Sequence, residues 1–232
     1  CLSCHAPASN NLVGVIPEEI GMLNDLEYLK LQLNSLKSTL PESLFELSAL
    51  KGVLVDENSI SGFIPSTFAK ATSLEDLQIA FNSLQGPISL DHLVKSASCP
   101  LKTLSLEYNK FNDTFPLNSI AANCTGITHI NVAYAGLVIG GSIPSTGLEQ
   151  LTFLNLVKTG LVGSIPGEIS RIERLDSFFA DFNNLTGSLP ASLGELRNLT
   201  SLSLSYNNIS GTIPSTLGQL QLLEFLALER NN

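Results

Sequence analysis

A unit of about two dozen residues repeats along the whole 232-residue chain, with the pattern L-x-x-L-x-L-x-x-N-x-L-x-G-x-I-P. Because one copy is too short to bury its own apolar residues, successive copies must stack and share a core. The sequence therefore predicts an α/β solenoid in which every residue belongs to a repeat. The copies begin at Leu2, Leu26, Leu50, Leu74, Leu101, Ile127, Leu151, Leu175, Leu199 and Leu223.

Within each copy, counted from its first residue, positions 4 and 6 are apolar and alternate with variable residues. This alternation is typical of a short strand whose positions 4 and 6 point into the core. Stacked copies then pair their strands into one parallel sheet, which leaves positions 2, 3, 5, 7 and 8 on its outer face. The G-x-I-P element is expected to turn the chain into a short helical or irregular convex segment, such as residues 215–220.

Position 9 is asparagine in most copies. A side-chain amide carries both donors and an acceptor, so it can bond backbone groups of its own coil and of the neighbouring coil. We interpret these residues as a structural asparagine ladder. Its members are Asn10, Asn34, Asn58, Asn82, Asn109, Asn183, Asn207 and Asn231.

The longer signature N-x-L-x-G-x-I-P-x-x-L-G-x-L is complete at residues 183–196 and 207–220. It resembles the plant-type subclass of leucine-rich repeats, and the resemblance covers essentially the whole chain. That subclass includes the ectodomains of plant receptor kinases and receptor-like proteins, and polygalacturonase inhibitors. The implied fold is a right-handed superhelix or horseshoe with a parallel concave sheet and short helical or irregular convex segments.

The resemblance implies a non-catalytic recognition ectodomain without a cofactor, located outside the cell or at its surface. A protein or peptide ligand is expected on the concave face, with a co-receptor as a further partner and signalling through a segment absent from this chain. The alternative is a secreted inhibitor or adhesion protein that acts by occlusion. We expect one domain over residues 1–232, taken from a longer protein, so that any membrane contact is made by missing segments.

Charge and motifs argue against other functions. A net charge of −9 disfavours nonspecific binding of nucleic acid. The histidines His5, His92 and His129 lie in different copies, and the chain carries no H-E-x-x-H, P-loop, G-x-S-x-G or kinase signature. Asp176 and Asp181 lie in one strand segment, where a solvated concave face explains them better than catalytic carboxylates. No metal site and no enzymatic activity are predicted.

The four cysteines fall into two groups. Cys99 and Cys124 precede the strands of adjacent copies, so stacking would bring them within disulfide reach, although two free buried thiols are the alternative. Cys1, Cys4 and His5 match the attachment pattern of a c-type haem. The repeat resumes at once after them and the single methionine, Met22, is a poor distal ligand. We therefore favour the remnant of a disulfide-bearing N-terminal cap.

Glycosylation sequons support an extracellular location. They begin at Asn112, Asn123, Asn184, Asn198 and Asn208. Asn184, Asn198 and Asn208 should be the most accessible, whereas Asn123 is expected to be buried beside Cys124.

The outer face of the sheet is the predicted ligand site. Aromatic residues make up only 6% of the chain, yet many fall at outer strand positions, where rings are favoured interface anchors. These positions carry ten acidic and five basic residues in the nine copies from Leu26, which favours neutral or basic partners. The predicted binding residues are Tyr108, His129, Tyr134, Phe153, Phe179, Asp181, Phe182 and Tyr206.

The middle copies depart from the pattern. Those at Leu74 and Leu101 are lengthened, the copy at Ile127 carries extra residues within 138–141, and Ala135 and Thr159 replace ladder asparagines. Since alanine supplies no amide bonds, the local geometry is expected to relax. Functional specialisation and drift under weak constraint both remain open explanations.

Overall fold

The computed structural model describes residues 10–95 and 99–232. Nine short parallel strands stack in chain order into the concave sheet. Equivalent repeat positions lie side by side; for example, Leu77 is paired with Leu104. The predicted leucine-rich-repeat solenoid is therefore confirmed. The strands are β2 (Tyr28–Lys30), β4 (Gly52–Leu54), β6 (Asp76–Gln78), β8 (Thr103–Ser105), β10 (His129–Asn131), β11 (Phe153–Asn155), β13 (Ser177–Phe179), β15 (Ser201–Ser203) and β16 (Phe225–Ala227).

The core lies directly behind this sheet and runs as one cluster from Ile16 to Leu220. Positions 4 and 6 fill it, as the alternation predicts, because successive strand side chains point to opposite faces. The adjacent residues Phe178 and Phe179 illustrate the rule. Phe178 at position 4 is fully buried, whereas Phe179 at position 5 is only half-buried and faces the groove.

A second series of short parallel strands follows the turn after the asparagine ladder. It is interrupted at the irregular copy that starts at Ile127, where a single bridge pairs Thr114 with Val138. The extra residues of that copy therefore break the lateral ladder and leave the concave sheet continuous. One group comprises β1 (Val13–Gly14), β3 (Ser35–Ser38), β5 (Ser59–Phe63), β7 (Ser83–Gly86) and β9 (Lys110–Phe111), and the other comprises β12 (Val162–Gly163) and β14 (Asn184–Leu185).

The convex side is built from short helices. Six are single 3₁₀ turns, each preceded by a proline whose fixed φ suits the residue before a helix. The two lengthened copies instead form α1 (Asp91–Val94) and α2 (Leu117–Asn123), so their extra residues lie on the convex side. The 3₁₀ helices are Glu18–Met22, Glu42–Glu46, Ser66–Lys70, Gly167–Arg171, Ala191–Glu195 and Ser215–Gln219.

The asparagine side chains join neighbouring coils. Asn82 Nδ2 donates to the carbonyl oxygens of Ile79 and Ala80 in its own coil, at 3.2 and 2.9 Å, and to that of Val55 in the preceding coil, at 3.0 Å. Its Oδ1 accepts the Ile60 N–H at 2.9 Å. Each asparagine thus satisfies backbone groups that would otherwise be buried without partners. Corresponding bonds are made by Asn34, Asn58, Asn109, Asn183, Asn207 and Asn231.

The coils that lack a ladder asparagine do not relax as expected. Instead, backbone groups bond directly: the Phe111 N–H donates to the Ala135 carbonyl at 2.9 Å, and the Ile139 N–H donates to the Thr159 carbonyl at 2.8 Å. Thr159 also donates its hydroxyl to the Leu156 carbonyl at 2.8 Å. The missing amides are therefore replaced by direct hydrogen bonds between the backbones of neighbouring coils.

Cys99 and Cys124 form a disulfide, with Cα atoms 4.7 Å apart. The sequence allowed either a disulfide or two free buried thiols, and the structure contains the disulfide. It ties together the copies that contribute β8 and β10. The haem-like pattern of Cys1, Cys4 and His5 lies outside the described residues.

The five sequon asparagines, Asn112, Asn123, Asn184, Asn198 and Asn208, are all exposed. The expectation that Asn123 is buried is wrong. Asn123 ends helix α2 and donates its Nδ2 to the Ser119 carbonyl at 3.1 Å, so it faces outward while its neighbour Cys124 is fully buried. Residues 10–95 and 99–232 include no helix long and apolar enough to cross a membrane.

Candidate ligand-binding surface on the concave face

The residue before each ladder asparagine has an unusual backbone. Position 8 has a φ of +50° to +59° in all nine copies from Leu26, as in Tyr108 at +52°. This left-handed conformation is unfavourable for residues with a Cβ. Tyr108 is held by its N–H, which donates to the Ala133 carbonyl of the next coil at 3.1 Å. The sequence pattern treated position 8 as an ordinary strand residue; it is a turn residue that places its side chain on the edge of the groove.

Aromatic side chains at position 8 form a row that we call the rim stack, consisting of Phe81, Tyr108 and Tyr134. The ring centroids of Phe81 and Tyr108 are 4.6 Å apart, and those of Tyr108 and Tyr134 are 5.2 Å apart. The ammonium of Lys158 lies 5.5 Å from the Tyr134 centroid and covers the end of the stack. Because the ring faces cover one another, the rim stack presents ring edges and hydroxyls to the groove.

A second aromatic group, the floor cluster, lies within the sheet and consists of His129, Phe153 and Phe179. The His129 and Phe153 rings stack at 4.4 Å, and Phe153 lies 5.9 Å from Phe179 at a tilted angle. All three side chains are half-buried and belong to adjacent strands. Burial lowers the pKa of His129, which favours the neutral form of this imidazole.

A hollow of about 370 Å³, here named the central concavity, opens beside the rim stack. Its base is formed by Ala133 and Val157, which place short apolar side chains at position 7 of two adjacent copies. It is therefore a groove deepened at one place, as expected of a site that admits a side chain. The lining residues are Phe81, Glu107, Tyr108, Asn131, Ala133, Tyr134, Asn155, Val157 and Phe179.

Two amides lie side by side in this hollow. Asn131 Oδ1 accepts the Ala133 N–H at 3.4 Å, and Asn155 Oδ1 accepts the Val157 N–H at 3.2 Å. These bonds occupy the oxygens, and neither Nδ2 has a partner among the described residues. The central concavity thus offers two adjacent donor groups to a ligand acceptor such as a backbone carbonyl.

Carboxylates dominate the electrostatics of the N-terminal half of the groove. Burial raises the pKa of Asp56 to about 6, although Asp56 Oδ1 accepts the Ala80 N–H at 2.8 Å. The charges of Glu107 and Glu57 raise this pKa further. Burial also raises the pKa of Glu107, against the effect of the Ser105 hydroxyl, which donates to Glu107 at 2.8 Å. Both shifts show that these carboxylates are shielded from water.

The predicted binding residues occupy three places. Tyr108, Tyr134 and Phe179 line the central concavity, and His129 and Phe153 adjoin it through the floor cluster. Phe182 and Tyr206 stack on each other at 4.3 Å, beyond Lys158 and outside the concavity.

Asp181 serves its neighbouring coil. Its Oδ1 accepts the Ser205 N–H at 2.8 Å and the Ser203 hydroxyl, in the way that Asp56 bonds Ala80. Its carboxylate is therefore occupied within the protein. Asp176 likewise accepts the Ser177 hydroxyl at 2.7 Å.

Sequence reasoning omitted Phe81, Glu107, Asn131 and Asn155 from the site. Asn131 and Asn155 are the only asparagines at position 5, in adjacent copies, and this signal could have identified them. Phe81 continues the position 8 aromatics. The significance of Glu107 could not be read from sequence, because it depends on which acidic residues have partners in the fold.

Comparison with known proteins agrees with the repeat geometry. The family model described as Leucine Rich Repeat matches residues 198–220. The plant peptide hormone receptor RGFR1 in complex with RGF2 superimposes with a TM-score of 0.83 and 32% identity, covering 97% of this chain and 35% of that chain. No curated protein sequence matches the chain.

Two further structures show the same relationship. The PEPR1–AtPEP1 structure has a TM-score of 0.77 and 28% identity over 97% of this chain and 34% of that one. A TDR receptor has a TM-score of 0.75 and 27% identity over 96% of this chain and 42% of that one. The chain spans less than half the length of each of these structures. Repeat signature, fold and comparisons together identify it as a leucine-rich-repeat protein of the plant type.

Proposed function

We propose that this chain is a non-catalytic recognition domain that binds an extended peptide along its concave face, as part of an extracellular receptor. The observation that carries the proposal is the central concavity, where aromatic walls, a low base and two unpartnered amide donors meet. Aromatic anchors with a few convergent polar groups are typical of recognition sites.

An extended peptide suits this surface better than a compact ligand. The rim stack and the floor cluster run along adjacent copies, so the apolar surface follows the stacking direction. The donors of Asn131 and Asn155 lie between these two rows. A chain lying along the groove would place side chains against the rings and its carbonyl groups near the amides. The RGFR1–RGF2 structure, which is described as that of a plant peptide hormone receptor, supports the same ligand class.

Two features support an extracellular location for the chain. The Cys99–Cys124 disulfide is the type of bond that persists in oxidising compartments. Five exposed sequon asparagines are accessible for glycosylation.

Peptide selection tests the proposal. A random decapeptide library is panned against the immobilised protein, and the affinities of enriched synthetic peptides are measured by calorimetry. We compare the wild type with Phe179→Ala and Phe153→Ala. A matched control is Phe63→Ala, since Phe63 is 60% exposed on the lateral strand β5.

Each groove variant should weaken binding by roughly 5- to 150-fold, which corresponds to about 1–3 kcal/mol. Phe63→Ala should bind normally, and circular dichroism should show that all variants are folded. The proposal is wrong if no peptide is enriched, or if enriched peptides bind the groove variants as tightly as the wild type.

A further inference from the structure

Glu107 brings a carboxylate into the central concavity without a compensating cation. Its side chain accepts the Ser105 hydroxyl at 2.8 Å. In the described part of the chain, no lysine or arginine nitrogen lies within 4.0 Å of it; the ion pairs there are Lys51–Glu27, Lys70–Glu46, Lys95–Asp91 and Lys102–Glu75. A half-buried charge with one neutral partner is poorly compensated, which favours a ligand that supplies the missing positive charge.

Neighbouring charges reinforce this preference at one end of the hollow. The charges of Glu107 and Glu57 both act on Asp56, so the three carboxylates form one acidic group. Between them, position 7 is Ala80, which is small and buried. The N-terminal end of the central concavity therefore carries a negative potential that attracts cations.

The opposite end of the hollow is bordered by a cation. The Lys158 ammonium covers the Tyr134 ring, whereas the carboxylate of the following copy, Asp181, accepts hydrogen bonds from Ser203 and Ser205 of the neighbouring coil and lies outside the concavity. A cationic group is therefore favoured near Glu107 and disfavoured near Lys158. This polarity fixes where along the groove a basic side chain can lie.

The shape of the hollow distinguishes arginine from lysine. The rim stack borders Glu107 with ring edges and hydroxyls, and a guanidinium is a planar, weakly hydrated group that can lie beside them. The two oxygens of Glu107 and the nearby hydroxyls of Tyr108 and Tyr134 are acceptors that suit its five donors. A lysine ammonium would retain more of its hydration and use fewer of these groups.

We propose that the central concavity holds one arginine side chain of the bound peptide, with its guanidinium paired to Glu107 and its aliphatic stem against Phe81 and Tyr108. The amide donors of Asn131 and Asn155 then face the peptide backbone. This inference rests on the proposed function and narrows its ligand class to peptides with an arginine at a defined position.

A double-mutant cycle tests the pairing. Enriched peptides are synthesised with arginine and with its neutral isostere citrulline, and titrated against the wild type and Glu107→Gln. Glutamine keeps an acceptor for Ser105. The matched control is Glu229→Gln, because Glu229 also occupies position 7 but lies outside the concavity.

Glu107→Gln should weaken the arginine peptide about tenfold or more and leave the citrulline peptide almost unchanged. Glu229→Gln should affect neither peptide. The inference is wrong if the enriched peptides lack arginine, or if Glu107→Gln affects both peptides equally. Peptides that depend on Phe179 but ignore Glu107 would refute the pairing and leave the proposed function intact.

A second readout needs no library. N-acetyl-arginine amide and N-acetyl-citrulline amide are titrated while the side-chain amide signals of Asn131 and Asn155 are followed by NMR. Only the arginine probe should shift these signals, and Glu107→Gln should abolish the shift. Equal shifts with both probes, or none with either, would count against the arginine site.

Discussion

The carbonyl oxygen of Phe111 lies where a side chain at Gly136 would begin: a Cβ built on Gly136 would be 2.1 Å from it. Gly136 directly follows Ala135, the first residue to break the asparagine ladder. The Phe111 N–H donates to the Ala135 carbonyl at 2.9 Å, so the two coils touch backbone to backbone. The loss of the asparagine and the presence of glycine are therefore two parts of one local packing arrangement.

Gly136→Ala should be strongly destabilising. The new Cβ would clash with backbone that cannot move aside, and φ is already +82°. We expect a loss of about 3 kcal/mol or more in the free energy of unfolding. The control is Gly160→Ala at the same repeat position, where φ is +68° but the nearest contact would be 3.5 Å from Val138. Gly160→Ala should cost only about 1–2 kcal/mol of backbone strain. Urea unfolding measures both variants. If Gly136→Ala and Gly160→Ala lose the same free energy of unfolding, the predicted clash with the Phe111 backbone is wrong.

Ala135→Asn restores the consensus residue and yet should destabilise the protein. Ala135 is fully buried, and the Phe111 N–H that a ladder amide would accept is already bonded to the backbone. The inserted amide would bury polar atoms without a complete set of partners, costing roughly 1–3 kcal/mol. Thermal and urea unfolding measure the change. A more stable variant would show that this coil can reopen to the regular ladder geometry.

The sequence predicted the fold well because the repeat ties each position to one environment. Period-2 alternation placed Phe178 in the core and Phe179 on the groove, and the structure agrees. The response to Ala135 was not predictable, since it depends on how far two backbones can approach once a side chain is removed. The exposure of Asn123 also depends on local backbone geometry that the repeat pattern does not specify. The lengthened copy forms an α-helix there, and this helix turns Asn123 outward.

The site was less predictable than the fold. Outward-facing rings such as Tyr108 and Phe179 follow from the repeat frame. The sequence could not show that Asp181 is occupied by the neighbouring coil whereas Glu107 lacks a cation, because partners come from copies about two dozen residues away. Nor could it show the left-handed backbone at position 8, which turns these rings into a stack along the edge of the groove.

The Cys99–Cys124 disulfide should stabilise the copies that carry β8 and β10, both of which lead into residues of the central concavity. It closes a loop with a sequence separation of 25 residues. The chain-entropy estimate for such a loop is on the order of 3 kcal/mol. Alkylation of secreted protein followed by non-reducing mass spectrometry should find neither cysteine modified. Cys99→Ala/Cys124→Ala should lower the free energy of unfolding by about this amount, and an unchanged melting curve would contradict the prediction.

Asp56 should make stability depend on pH in the direction opposite to that of most carboxylates. Burial raises its pKa from 3.8 to about 6 in the folded protein, so between these values the folded state binds more protons than the unfolded state. The contribution of this group to stability therefore falls as the pH rises from about 4 to 6 and stays low above that range.

Asp56→Asn keeps an oxygen to accept the Ala80 N–H and removes the charge. Allowing for partial exposure, the variant should be about 1–3 kcal/mol more stable than the wild type at pH 7, with the difference vanishing below pH 4. Urea unfolding of both proteins across this range measures the difference, and carbon NMR of the Asp56 carboxyl gives its titration midpoint directly. A titration midpoint below pH 5 would show that Asp56 is solvated in the folded groove. The same conclusion would follow if the stability of Asp56→Asn relative to the wild type were lower at pH 7 than at pH 4.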